Sequence, residues 1–214
     1  MLIVSINVAL PAGYDYGDKH VVTGGYKQPV AAAMLGRRNF AGDGQADLQN
    51  HGSPDQAVLI YATDHYPGWE AKLGRALAPG AFGENLTATG AMETEFCVGD
   101  ILQIGDAITQ ITQPRQPCYK LGYKLGEPRL VDWIIATGQG GSYCRVLTEG
   151  RVASGATIEV IERHPDRISI ATVNDLIYDR VQDRDLVAHL TNMPEFSVAG
   201  RARFAQKLAR SRQA

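Results

Sequence analysis

Ile101-Leu102-Gln103-Ile104-Gly105-Asp106-Ala107-Ile108-Thr109-Gln110-Ile111 reads as two strands joined by a tight connection. Aliphatic and β-branched residues fill both arms, and Gly105-Asp106 is the short turn that lets them pair. Upstream, Ala57-Val58-Leu59-Ile60-Tyr61 reads as a buried strand, and Leu2 to Leu10 alternates well enough for another. Downstream, Gly155-Ala156-Thr157-Ile158-Glu159-Val160 echoes Gly99-Asp100-Ile101-Leu102-Gln103-Ile104, so strands of similar entry recur at both ends of the region. One echo does not make a repeat protein.

Two helices are expected among these strands. Thr63 is placed to cap one running through Trp69 and Leu73; Pro128 and Gly138 bracket a second, with Leu130, Trp133 and Ile134 on one face. Short strands separated by irregular glycine-rich loops suggest a closed or half-closed barrel. The pattern changes after Arg163-His164-Pro165, where Ser169, Asp183 and Ser197 each precede a helix-compatible segment. The expectation is a mainly β fold with inserted helices over residues 1–162, followed by a small helical appendage over 163–214.

With 214 residues, 44% hydrophobic and 21% charged, the chain can bury an ordinary globular core. A net charge of −2 argues against nucleic acid as the main ligand, because duplex binding leaves a basic footprint. No apolar run approaches the roughly 20 residues that span a bilayer, which argues against a membrane role. The three cysteines are far apart with no CxxC, and Met1-Leu2-Ile3-Val4-Ser5 has no basic region ahead of it, so a reduced, cytoplasmic protein is expected. The end of the chain is basic: Arg201, Arg203, Lys207, Arg210 and Arg212 occur with no acid from Arg201 onward. That segment is either a solvated helix face or a dock for an acidic partner.

The second arm of the hairpin leads into Gln113-Pro114-Arg115-Gln116-Pro117-Cys118-Tyr119-Lys120-Leu121. Two prolines stiffen the backbone and remove two amide donors, so Cys118 is presented on a loop and not within a helix or strand. Arg115 and Lys120 flank it, and positive charge near sulfur favours the thiolate that attacks electrophiles or binds soft metals. The competing reading is a small buried residue on a tight loop. Cys97 and Cys144 read as structural strand positions. Two further loops carry more chemistry than a core needs: Ala41 to Asp55, containing His51, and Gly80 to Leu86, where Gly83 permits positive φ and Glu84 and Asn85 add an acid and an amide. Each is equally readable as turn chemistry. The five histidines show no zinc spacing.

Together, Gly25-Tyr26-Lys27-Gln28-Pro29-Val30, Gly42-Asp43-Gly44-Gln45-Ala46-Asp47, His51-Gly52-Ser53, Gly83-Glu84-Asn85-Leu86, Gly99-Asp100, Pro114 to Leu121 and Tyr143-Cys144-Arg145-Val146 stand in the order and approximate spacing of the MOSC domain family. The family takes its name from the C-terminal domain of molybdenum cofactor sulfurase. The resemblance covers roughly residues 1–162 and is nearest to the stand-alone, YiiM-like bacterial branch, in which a short three-helix domain follows the MOSC domain.

This resemblance implies a β-barrel MOSC fold that binds molybdenum cofactor, with Cys118 as the sulfur ligand to the metal. Lys27 and Arg115 match family positions that supply cations for the pterin's phosphate, while His51, Gly83 and Asn85 are placed for cofactor contacts. Related enzymes reduce N-hydroxylated compounds such as hydroxylaminopurines and amidoximes. Carried over, the expectation is a two-electron reductase with Cys118, His51 and Glu84 at its catalytic centre, His51 or Glu84 delivering protons. No Rossmann, flavin or iron–sulfur pattern occurs and pyridoxal phosphate is not expected, so electrons would come from a separate reductase. The protein is expected as a monomer or homodimer. Two alternatives use the same thiol: a carrier of molybdenum cofactor or sulfur without turnover, and a metal-free cysteine hydrolase or transferase with His51 as base. The chain departs from the family pattern at Ser53, where a second glycine is usual after His51-Gly52, and in its short tail ending Arg210-Ser211-Arg212-Gln213-Ala214.

Overall fold

The computed structural model describes residues 1–49 and 51–210. The first strands are β1 (Ile3–Val8), β2 (Ala12–Tyr16), β3 (Lys19–Thr23), β4 (Gln28–Val30) and β5 (Ala32–Leu35). Next come β6 (Val58–Ala62), α1 (Tyr66–Leu73), β7 (Leu86–Ala88), β8 (Ile101–Ile104) and β9 (Ala107–Pro114). Helices α2 (Lys120–Leu125) and α3 (Leu130–Thr137) precede β10 (Ser142–Thr148), β11 (Gly150–Ala153) and β12 (Ile158–Glu162). The tail holds α4 (Ile170–Ile177), α5 (Arg184–Asn192) and α6 (Val198–Arg210).

Eight strands form one mixed sheet in the order β12-β8-β9-β10-β6-β7-β1-β4. All neighbours are antiparallel except β6 and β7, whose parallel pairing requires the crossover that carries α1. The β8–β9 hairpin forms as expected, with Ile104 opposite Ala107 and Gly105 at φ +57° in its turn. The two similar strand entries are neighbours: β12 pairs with β8, Ile158 opposite Ile104.

A closed β-barrel does not form; the half-closed alternative does. β12 and β4 are the edges, and closure stops at the bridge Leu2↔Thr157, supported by Ile3 N donating to Ala156 O at 2.9 Å. The reason lies in β1. Its length from Ile6 to Val8 is already paired with β4 and its other edge with β7, leaving only its first residues for the far end of the sheet.

Two apolar clusters hold the fold. Leu35, Phe40, Ile60, Leu86 and Leu102 of the sheet region are fully buried together with Val173, Leu176, Leu190 and Phe204 of the tail helices. Each such side chain contributes about 1.5–3 kcal/mol through removal from water. The second cluster joins Tyr61 and Phe82 to Trp69 of α1, Leu121 of α2 and Ile134 of α3.

The three expected tail caps are present. Ser169 Oγ accepts from Thr172 N at 3.1 Å, Asp183 Oδ1 from Leu186 N at 2.8 Å, and Ser197 Oγ from Gly200 N at 2.9 Å. Thr63 is not a helix cap: it opens the 3₁₀ turn Thr63–His65, and α1 begins afterwards without a side-chain cap. Cys97 makes an isolated bridge with Ser169 and is not part of a strand ladder. In the basic tail, Lys207 pairs with Asp179 at 2.6 Å and Arg203 donates to Gln116; Arg212 lies outside the described residues. Among the described residues no helix is long and apolar enough to cross a membrane.

Candidate functional site

One open cavity, with about 140 Å³ of room for water-sized molecules, lies beyond the end of β9. Lys27, His51, Gly83, Asn85, Arg115 and Cys118 all line it. These residues come from four separate segments, so the fold gathers most of the positions marked in the sequence.

Cys118 is half-buried and unpaired, between the end of β9 and the start of α2. Its carbonyl accepts from Leu121 N at 3.0 Å, so the loop passes directly into the helix. On the other side, Arg115 N donates to Gly141 O at 2.9 Å, tying the loop to the entry of β10. Arg115 itself is buried, 8% exposed. Its Nη2 donates to Phe82 O at 3.0 Å, while its Nη1 has no partner among the described residues. A buried guanidinium donor without an acceptor is costly.

The opposite wall is a buried polar network. Lys27 pairs with Asp43, whose carboxylate also accepts from Ala9 N at 2.9 Å and from Asn85 Nδ2 at 2.8 Å. Asn85 Oδ1 accepts from Leu59 N at 3.1 Å, which anchors the network to β6. Burial lowers the pKa of Lys27, with Asp43 opposing. Gly83 sits at φ +78°, the left-handed conformation that glycine tolerates. A side chain on Gly24 would put Cβ 2.2 Å from Gly44 O, so the loops of this wall touch backbone to backbone.

Burial pushes His51 below the ordinary imidazole value; Asp47 opposes this, and Arg115 and Lys120 reinforce it. The ring is therefore neutral at neutral pH. Ser53, the departure from the family pattern, caps the following 3₁₀ turn through its hydroxyl, which accepts from Asp55 N at 3.2 Å.

Glu84 is not brought to the cavity. It is fully buried, and its carboxylate accepts from Gly80 N at 2.8 Å, Phe82 N at 3.0 Å, Thr87 Oγ1 at 2.8 Å and the Tyr66 hydroxyl. With four donors on two oxygens it shapes the loop that carries Gly83, away from the cavity where proton delivery was expected. Lys120, expected beside the thiol, lines the cavity too, and sequence reasoning passed over Tyr143 and Lys124, which also line it. Tyr143 lay within a quoted motif, and burial pushes its hydroxyl upward, keeping it neutral. Lys124 had no local signal except its place one helical turn after Lys120.

Comparison with known proteins places this geometry. The MOSC domain profile matches residues 47–159. The chain is 42% identical over 206 residues to the uncharacterized protein YflK of Bacillus subtilis, covering 96% of this chain and 93% of that protein. It is 36% identical over 179 residues to a protein named reductase from Gibberella moniliformis, covering 79% of this chain and 31% of that longer protein. The crystal structure of YiiM from Geobacillus stearothermophilus superposes with a TM-score of 0.83 at 35% identity, covering 97% of this chain and 98% of that one.

Proposed function

From a chain that belongs to the MOSC domain family, one associated in general with molybdenum cofactor, we propose a molybdenum cofactor-dependent reductase of N-hydroxylated compounds. The observation that carries the reading is the convergence on one cavity of an unpaired half-buried thiol and a buried guanidinium with an unpartnered nitrogen. The donor set fits the cofactor. Cys118 would be the soft ligand to the metal, and Arg115 and Lys27 would face the anionic phosphate. When bound, the cofactor would supply the two-electron redox centre at which an N–OH compound, two electrons and two protons become the amine and water.

The chain's own residues orient and screen. Asn85 and Asp43 hold Lys27 in place, the Glu84 network fixes the Gly83 loop, and the link from Arg115 to Gly141 sets where the cysteine loop leaves the sheet. His51, on the cavity wall, is the candidate to relay a proton from solvent to the departing oxygen, taking one up at one ring nitrogen as it gives one from the other. Electrons would come from a separate reductase; the relative named reductase is consistent with redox work.

The test is elemental analysis of wild type and Cys118→Ala produced where molybdenum cofactor synthesis is active, together with turnover of an N-hydroxylated substrate by an artificial electron donor. The expected outcome is molybdenum in wild type, loss of at least about tenfold in the variant, and turnover only with metal present. Equal metal in both proteins overturns the ligand assignment, and metal without turnover favours a carrier.

A further inference from the structure

Lys27 and Lys124 both present ammonium groups to the cavity, but their surroundings differ in kind. Lys27 has a carboxylate partner in Asp43. Lys124 Nζ donates to two backbone carbonyls, Gly25 O at 2.7 Å and Gly80 O at 2.6 Å, and among the described residues no carboxylate lies within ion-pairing distance. The charged groups facing it are Glu84 behind the Gly80 loop, Lys27 on the opposite wall and Arg115 beyond β9. Glu84's oxygens already accept from Tyr66, Thr87, Gly80 and Phe82. The Tyr26 ring, centred 5.5 Å from Nζ, offers a weak π-face attraction and no counter-charge.

This arrangement counts hydrogens. A neutral amine has two, and two carbonyls accept them. An ammonium ion has three, and among the described residues its third hydrogen has no acceptor and its charge no contacting carboxylate. We infer that Lys124 is a binding residue whose counter-charge is the anionic group of the ligand, so that the cavity takes up a proton on Lys124 together with the anion. The inference rests on the reading of the cavity as an anion-accepting site and adds to it a residue and a pH dependence. In the ligand-free protein, burial lowers Lys124 from 10.5 to about 8; Glu84 opposes, and Lys27 and Arg115 act in the same direction as burial. An anion beside Nζ restores the charged form, and by linkage the anion must then bind more weakly as pH rises through that value.

Methyl phosphate is the probe, because a phosphate monoester stays fully ionised between about pH 7.5 and about pH 9.5. At constant ionic strength its affinity for the wild type should fall by about 20-fold across that range, with net proton uptake seen as a dependence of the calorimetric heat on buffer ionisation. Lys124→Arg keeps its charge throughout and should bind with a flat profile, whereas Lys124→Met should bind weakly at every pH. Direct observation of the Lys124 ammonium by NMR, with its titration midpoint rising when methyl phosphate is added, supplies a measurement that needs no variant. If the Lys124→Arg profile falls as the wild type's does, another cation such as Lys27 takes the proton and the inference fails while the anion site stands. If methyl phosphate neither binds the wild type nor moves the Lys124 midpoint, the anion-site reading fails and takes the inference with it.

Discussion

Cys144 lies within β10 and Cys118 beyond the end of the neighbouring strand β9, yet only one is available for chemistry. Cys144 lies within β10 opposite Ile111 of β9, fully buried, and burial pushes its thiol up to about 12. Cys118 lies just beyond the end of β9, where the chain has left the ladder and cations and water can reach it. A ladder satisfies its backbone internally and packs its faces, so a thiol inside it has neither solvent nor a ligand to meet. Past the last ladder bond, the chain must be held by other means. Those means, the link to Gly141 and the Glu84 and Asp43 networks, also build the cavity.

The sharpest way to break this contrast is alkylation of the native protein with iodoacetamide at mildly alkaline pH. Cys118 should react at least about 100-fold faster than Cys144, because the thiolate is the reactive form and buried thiols are inert. Cys118→Ser should remove the fast phase entirely. A fast phase that survives in that variant would erase the distinction between ladder and loop.

A smaller effect probes what holds the loop side together. Glu84→Gln keeps the shape but replaces an acceptor with a donor amide facing Gly80 N or Phe82 N, and should cost about 1–3 kcal/mol in urea unfolding. Unchanged stability would mean that the loop wall does not depend on this carboxylate.

A third effect is a pH slope. Lys124 sits at about 8 in the folded protein and at the ordinary 10.5 when unfolded. Below the lower value both states are protonated and there is no slope. Between the two values the folded state has released a proton that the unfolded state still holds, so stability rises with pH. Relative to Lys124→Met, the ligand-free wild type should therefore gain stability from about pH 8 to about pH 10.5, measured by denaturant midpoints at each pH. A flat profile over that window would mean that Lys124 is not desolvated.

Much of the fold was legible locally. The β8–β9 hairpin, the buried β6 and the caps Ser169, Asp183 and Ser197 follow from residues adjacent in the chain. Helix α2 was missed because Lys120-Leu121-Gly122-Tyr123-Lys124-Leu125 is short and contains glycine. It forms because Leu121 and Leu125 bury against the second apolar cluster. Glu84 lies off the cavity for the complementary reason: an acid beside glycine in a loop looks available until the donors converging on it are known. The closed barrel failed at β1, whose edges are occupied by β7 and β4, a pairing no local signal reveals.

By itself, the sequence determined the β-rich class, the helical tail and the order of motifs around Cys118. Each depends on periodicity, turn residues or spacing along the chain, which are short-range properties. Tertiary structure alone decided that Arg115 would be buried with one nitrogen unpartnered, that Glu84 would face inward, and that Lys124 would meet two carbonyls but no carboxylate. Desolvation and the availability of partners depend on which distant segments pack together, and only the folded chain brings those segments within hydrogen-bonding distance.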